Sequence, residues 1–237
     1  MEEIKKLELD IADALLDRPR GFSVGNRHFC LWPVTLGKMF LTQRITEQME
    51  INDSNLRINP FAEALRIVEE KKEDCALLLA YHTLKTKDEV NNHKTVKERK
   101  NFFMKELQNE DMATLLIAVL TWDKTAQFVK HLKIDKEIER MNRVMKVKND
   151  KNTYNFGGKT VFGSIIDSAC ERYGWTFDYV VWEIAYTNLQ LMLKDSAKSI
   201  YLTDDELKRC HVPKDGYTLD GNDPNVMKDV ISSGSWK

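Results

Sequence analysis

The chain has 237 residues, of which 42% are hydrophobic and 31% charged, so it can bury a core and is too apolar to be disordered throughout. Its 36 basic and 37 acidic side chains leave a net charge of −1, which argues against a dedicated nucleic-acid-binding protein, because such proteins usually carry an excess of basic residues. Only 10 glycines and 5 prolines occur, and this scarcity of helix breakers favours long helices over a many-stranded β fold.

The N-terminal residues predict an amphipathic helix followed by a β-hairpin. Apolar residues recur at helical spacing over residues 3–16. Two short alternating runs then flank Gly25-Asn26, a pair that tolerates the positive φ of a tight turn. We therefore expect a β-hairpin at about residues 21–33.

Helical periodicity and capping residues predict a series of helices through the middle of the chain. Thr35 and Asn59 are start signals, because their side-chain oxygens can accept a hydrogen bond from a free amide of the first turn. The predicted helices cover residues 35–49, 60–84, 94–107, a segment capped by Asn109, and one or two helices within 123–147. Residues 52–59 and 86–93 are expected to be connections.

The C-terminal third predicts a separate helical unit and a tail. Residues 149–159 have the composition of a linker and could separate two domains or be a surface loop. We expect an N-terminal helical domain over 1–150 and a C-terminal helical pair over 160–195 packed on it. The pair comprises one helix ended by Gly174 and a second from Thr176 to Lys194. Residues 196–237 should form a mostly extended tail, with one short helix in which Thr203 and Glu206 fit a capping box. The predicted fold class is mainly α, a helical bundle with a small N-terminal β-hairpin.

The sequence lacks the motifs of catalytic and metal sites. His28 and Cys30 share one strand face, but a structural zinc site needs four ligands and no second pair stands at a suitable spacing. Residues 157–160, Gly-Gly-Lys-Thr, resemble the end of a P-loop, yet Thr153 stands where that motif needs a glycine. We therefore expect no enzymatic activity, no cofactor and no bound metal.

Targeting signals and cysteine usage indicate a cytoplasmic location. The first 18 residues are charged throughout, unlike a signal peptide, and no apolar run is long enough to span a membrane. The four cysteines are isolated in the sequence and are expected to be reduced thiols, at positions Cys30, Cys75, Cys170 and Cys210.

One basic run, His93 to Lys105, leaves two interpretations open. It could form a local basic patch for nucleic acid, or it could be the solvated face of a helix. The balanced charge of the whole chain favours the second interpretation, so we expect no nucleic-acid partner.

An aromatic segment, Tyr173 to Tyr186, is the most distinctive part of the sequence. The helix predicted there is apolar nearly all round, so it must be covered on most sides. It could be a central core helix, or part of its face could dock a partner or another subunit, since Trp and Tyr are enriched at such contacts. The candidate partner-binding residues are Phe177, Tyr179, Trp182 and Tyr186.

Two segments resemble phage tail assembly chaperones. Leu31–Gly37, Leu-Trp-Pro-Val-Thr-Leu-Gly, is similar to the hairpin-to-helix opening of that family, and Tyr173–Leu193 is similar to its C-terminal part. The resemblance implies a helical, cytoplasmic, non-enzymatic protein that binds the tape-measure protein and keeps it soluble during tail assembly. The alternative is a structural virion component, such as a tail or head–tail connector protein. Homo-oligomerisation is compatible with either.

Overall fold

The computed structural model describes residues 2–148 and 156–210, with the side chains of residues 2–4 left out. It is mainly α, with one two-stranded antiparallel sheet near the N-terminus, and this confirms the predicted fold class. The helices in chain order are α1 (Glu2–Leu15), α2 (Leu36–Gln48), α3 (Asp53–Ile58), α4 (Pro60–Thr83), α5 (Lys87–Asn91), α6 (His93–Glu106), α7 (Asn109–Leu120), α8 (Thr125–His131), α9 (Ile134–Val147), α10 (Ser168–Tyr173), α11 (Tyr186–Lys194) and α12 (Asp204–Cys210). Two further segments, Phe162–Asp167 and Tyr179–Glu183, are π-helical.

The hairpin consists of β1 (Arg20–Val24) and β2 (Arg27–Leu31). Gly25 lies in the turn with φ +56°, which explains why a glycine stands there. Phe22 pairs with Phe29 across the sheet, and their rings lie 5.7 Å apart on the face that meets the core. The predicted hairpin at about 21–33 is confirmed, with its pairing between residues 20 and 31.

The main core forms around α4, which packs against α2, α6 and α7 and also contacts β2. Its fully buried side chains are large and apolar, and each contributes about 1.5–3 kcal/mol. They include Ile67, Leu78, Leu79, Phe103, Met112 and Leu116. The backbone of α4 leaves helical geometry at Lys71 (φ −134°, ψ 42°), a kink that no glycine or proline signals in the sequence.

Most predicted helix starts are present. The Thr35 hydroxyl accepts from the amide of Lys38, and Asn59 Oδ1 accepts from the amide of Ala62 (3.1 Å). The prediction for Asn109 was wrong, because Gln108 is the N-cap and the Asn109 side chain instead accepts from Lys72 Nζ (2.8 Å).

Two predicted connections contain short helices instead. In the first, Asn52 Oδ1 caps α3 by accepting from the amides of residues 54 and 55. In the second, Thr86 and Glu89 form a capping box that starts α5. Both helices are one or two turns long, so their apolar periodicity is too short to detect, although their caps are ordinary ones.

A second apolar cluster joins the C-terminal helices to α2. Its buried members come from α2, both π-helical segments, α10, α11 and the extended residue before α11, and are Leu36, Ile166, Ala169, Val180, Val181, Ile184 and Leu189. The division into domains at about residue 150 stays a prediction, since residues 149–155 lie outside the described part. Of the predicted tail, residues 211–237 also lie outside it, and α12 begins with the predicted capping box of Thr203 and Glu206.

The single helix predicted from Thr176 to Lys194 was wrong. Ile184 and Ala185 have extended backbone (ψ 134° and 135°) and separate the π-helical segment Tyr179–Glu183 from α11. Ala185 pairs with Thr35 in an isolated antiparallel bridge. The amide of Tyr186 donates to Val34 O (2.7 Å), so a tertiary contact replaces the helical hydrogen bonds.

Candidate functional site

A tight connection between α10 and the π-helical segment Tyr179–Glu183 gathers several aromatic side chains. Gly174 has φ +66°, and its amide donates to Cys170 O (3.0 Å), which ends α10 as a glycine C-cap. The Thr176 hydroxyl then accepts from the amide of Tyr179 (3.2 Å) at the start of the next helical stretch. Only Trp175 separates these two caps, so the side chains on either side of the turn lie close together.

The aromatic face is defined as Tyr173, Trp175, Phe177 and Tyr179; the rings of Tyr173, Trp175 and Tyr179 are in contact, and Phe177 lies between Trp175 and Tyr179 in the chain. The rings of Tyr173 and Trp175 are stacked with centroids 4.6 Å apart, and the rings of Trp175 and Tyr179 are 5.1 Å apart. Tyr179 is 41% exposed, and Phe177, in the same first helical turn, is 51% exposed. The face therefore combines an ordered stack of rings with two large side chains that are open to solvent.

Contacts on three sides hold the aromatic face in place. Val180 and Val181 are buried in the cluster below it. The Tyr173 hydroxyl donates to Met192 O in α11 (3.0 Å), and Asp178 forms an ion pair with Lys87 of α5 (2.9 Å). Because neighbouring elements fix its backbone, the face is preorganised for contact, which reduces the entropy lost on binding.

Trp182 has a different environment from the aromatic face. It is half-buried, packs with the cluster around Leu36 and also contacts the cluster around Leu84. Its ring lies over Gly37 so closely that a Cβ at that position would be 2.7 Å from ring carbons. The structure thus places Trp182 at the joint between α2 and the C-terminal helices.

Tyr186 lies beyond the break, on the wall of a cleft of about 230 Å³. Its hydroxyl accepts from Gln190 Nε2 (3.1 Å). Burial, with a smaller contribution from the negative charge of Asp123, raises the pKa of this phenol. The four candidate residues therefore occupy three places: Phe177 and Tyr179 on the aromatic face, Trp182 at the joint, and Tyr186 in the cleft.

The cleft has apolar walls and a charged rim of both signs. At the rim, Asp10 forms an ion pair with Lys124, and Asp13 forms one with Arg18 (3.0 Å). The Arg20 guanidinium lies 4.3 Å from the ring centroid of Trp122, in a cation–π contact. Because the ion pairs largely neutralise the rim, the cleft has no net charge that would select one class of ligand.

Tyr173 and Trp175 were missed as site residues, although they belong to the same aromatic run. The signal that could have found them is Gly174. A glycine C-cap followed two residues later by a threonine N-cap predicts a turn that folds residues 173, 175 and 179 onto one another.

The most strongly perturbed titratable groups lie in the core, away from the aromatic face. Lys38 is 2% exposed, its Nζ donates to Leu84 O, and burial lowers its pKa to about 8. His82 is also buried, and desolvation together with the nearby charge of Lys38 lowers its pKa to about 3. His82 Nδ1 has no hydrogen-bond partner among the described residues. Because both side chains are buried, their protonation bears on the stability of the fold.

Within the described residues, no group of three or more His, Cys, Asp and Glu side chains is arranged to hold a metal ion. The hydroxyl of Ser23 lies 3.3 Å from His28 Nδ1 on the exposed face of the hairpin, so this histidine has a local partner. In the P-loop-like stretch, Gly157 and Gly158 have positive φ and Lys159 is exposed, while Thr153 lies outside the described part.

No family model, curated protein or solved structure matches the chain. In residues 2–148 and 156–210, no helix is both long and apolar enough to cross a bilayer.

Proposed function

We propose that the protein is a non-enzymatic assembly chaperone that binds an apolar helical segment of a partner protein on the aromatic face. The observation that carries this proposal is the stack of Tyr173, Trp175 and Tyr179, in which Tyr179 is exposed, together with the exposed Phe177 two residues earlier in the chain. Singly exposed aromatic side chains are common on protein surfaces, whereas several neighbouring ones more often mark a binding surface.

The partner proposed is the tape-measure protein of a long-tailed phage. The resemblance of Leu31–Gly37 and Tyr173–Leu193 to tail assembly chaperones supports this choice, and the second of these segments contains the aromatic face. A tape-measure protein is long and helical and must stay soluble until tail-tube subunits surround it. The chaperone would act in the cytoplasm of the host cell and leave before the virion is complete.

The exposed rings offer enough apolar area for a useful affinity. About half of each ring of Phe177 and Tyr179 is open, so each can bury about 100 Å² more, which corresponds to about 2–3 kcal/mol. A loss of 2 kcal/mol weakens binding about 30-fold. These two side chains therefore have the size expected of interface hot spots.

The test is to replace Phe177 and Tyr179 singly with alanine and to measure binding of peptides from the tape-measure protein. Each change should weaken binding about 30-fold and leave the melting temperature nearly unchanged, because neither side chain is in the core. Phe61→Ala is the matched control, since Phe61 is 43% exposed on α4 and should not affect binding. Full peptide binding by both variants would remove the support for this face.

Trp182→Ala separates a binding defect from a folding defect. Because Trp182 packs at the joint with α2, its truncation should lower stability by about 3–5 kcal/mol and weaken binding only through partial unfolding.

Mass spectrometry of purified virions tests the biological setting. A chaperone should be missing from mature particles, whereas many copies per particle would favour the alternative, a structural virion component.

A further inference from the structure

Two arginines, one on the hairpin and one on α6, each lie over one of two neighbouring phenylalanine rings. Arg27 is at the start of β2, and Arg99 is in the basic run of α6. The Arg27 guanidinium lies 4.7 Å from the ring centroid of Phe102, and that of Arg99 lies 4.9 Å from the ring centroid of Phe29. The rings of Phe29 and Phe102 are themselves 5.4 Å apart. Burial lowers the pKa of Arg99, the charge of Glu89 opposes this, and the charge of Arg27 adds a smaller lowering effect.

The charge of Arg27 is not compensated within the described residues. The Arg27 side chain is exposed and forms no ion pair or hydrogen bond with the described residues. Its guanidinium makes a cation–π contact with the Phe102 ring. Arg99 Nη1 donates to Thr83 O (3.4 Å), and the negative charge of Glu89 favours the charged form of the Arg99 guanidinium. However, Glu89 Oε2 already accepts from the amides of Lys85 and Thr86 in the capping box of α5.

The rest of the basic run is partly neutralised: Lys94 and Lys97 are exposed without an ion pair among the described residues, but the two other lysines are paired. Lys100 forms an ion pair with Glu73 (2.7 Å), and Lys105 forms one with Glu106 (3.2 Å). Nucleic-acid binding requires a longer array of cations that follows the phosphate backbone, and only Lys94 and Lys97 would add to the two guanidiniums in a chain of net charge −1. Two guanidiniums fixed by stacking instead suit a single planar oxyanion, because each can donate two parallel N–H groups to it.

We propose that Arg27 and Arg99 form an oxyanion site that binds a carboxylate of an acidic polypeptide segment. The stacked rings hold the guanidinium planes and partly exclude water, which strengthens charge-assisted hydrogen bonds. This site lies on the hairpin and α6, and its test is independent of whether the aromatic face binds a partner.

The experiment follows the Arg Nε–Hε signals of the full chain by NMR at low ionic strength, with hexaglutamate as the probe and hexaglutamine as its uncharged match. Hexaglutamate should shift the signals of Arg27 and Arg99 selectively, and hexaglutamine should not. Arg27→Gln and Arg99→Gln should each weaken hexaglutamate binding about tenfold. Arg27→Lys keeps the charge but loses the planar fork, so it should also weaken binding, to a smaller extent.

Two arginines provide matched controls. Arg57→Gln removes an exposed charge on α3 without ring stacking, and Arg20→Gln removes a guanidinium stacked on Trp122, away from Arg99 in sequence and on the other end of the hairpin. Neither should change hexaglutamate binding. Equal weakening by Arg57→Gln would show non-specific charge attraction and would overturn the proposal. Melting temperatures check that each variant is folded.

Inorganic phosphate and a short oligothymidylate identify the source of the anion. Competition by phosphate at concentrations well above those of hexaglutamate supports an oxyanion site with a preference for polypeptide carboxylates. Phosphate that binds as tightly as hexaglutamate, or oligothymidylate that binds through the same arginines more tightly, would refute the carboxylate assignment. Absence of any selective shift with hexaglutamate would refute the site itself.

Discussion

Replacing Lys38 with methionine should change how the stability of the protein depends on pH. The Lys38 ammonium is buried, and its pKa is lowered from 10.5 to about 8, mainly because burial removes it from water. Between about pH 8 and 10.5, the unfolded chain therefore binds more protons at this side chain than the folded chain does. Stability contributed by this group rises with pH across that window, by about 3 kcal/mol in total.

The variant isolates this effect because its other titratable groups are unchanged. Burial raises the pKa of Cys75 to about 12, so that thiol contributes an opposite trend above pH 9 in both proteins. At a single pH, the sign of the change in unfolding free energy is not informative. Methionine removes a costly buried charge, but it also leaves Leu84 O without its hydrogen-bond donor. The difference in stability between the two proteins cancels the Cys75 trend and retains that of Lys38.

Urea unfolding measured from pH 7.5 to 10.5 provides this difference. We expect wild type to gain about 3 kcal/mol relative to Lys38→Met across the range. Lys38→Arg serves as a second comparison, because arginine stays charged throughout and should also lack the rise. A difference that stays constant with pH would contradict the reasoning, since it would mean that Lys38 keeps its ordinary pKa in the folded protein.

Two further predictions concern the same region of the core. Gly37→Ala should lower the unfolding free energy by about 1–3 kcal/mol, because the new methyl would meet the Trp182 ring at 2.7 Å; a rise in melting temperature would mean that the ring moves aside and helix propensity prevails. His82 is neutral when folded, with a pKa of about 3, so wild type should lose stability as pH falls below about 6.5, by about 1.4 kcal/mol per pH unit. His82→Gln has no imidazole to protonate on unfolding, so its stability should fall less steeply as the pH is lowered.

Only part of the candidate site was predictable from the sequence. The aromatic run identified Phe177 and Tyr179, and the structure leaves both side chains exposed. The same run also included Trp182 and Tyr186, which lie at the joint with α2 and in the cleft.

Helical periodicity assigned all four to one continuous helix, because Ile184 and Ala185 are compatible with a helix and contain no local break signal.

The sequence by itself determined the features that depend on neighbouring residues. Gly25 in the hairpin turn, the Asn59 cap before Pro60, the Gly174 C-cap and the capping box of Thr203 and Glu206 were all predicted, because each satisfies backbone groups within a few residues.

Tertiary structure decided the features that depend on distant residues. The break at Ile184–Ala185 exists because Val34 and Thr35 supply hydrogen bonds from another part of the chain. The stacking of Arg27 on Phe102 and of Arg99 on Phe29 likewise depends on how the hairpin packs against α6. Such contacts leave no periodic trace in the sequence, because backbone hydrogen bonding and ring stacking can join residues at any separation along the chain.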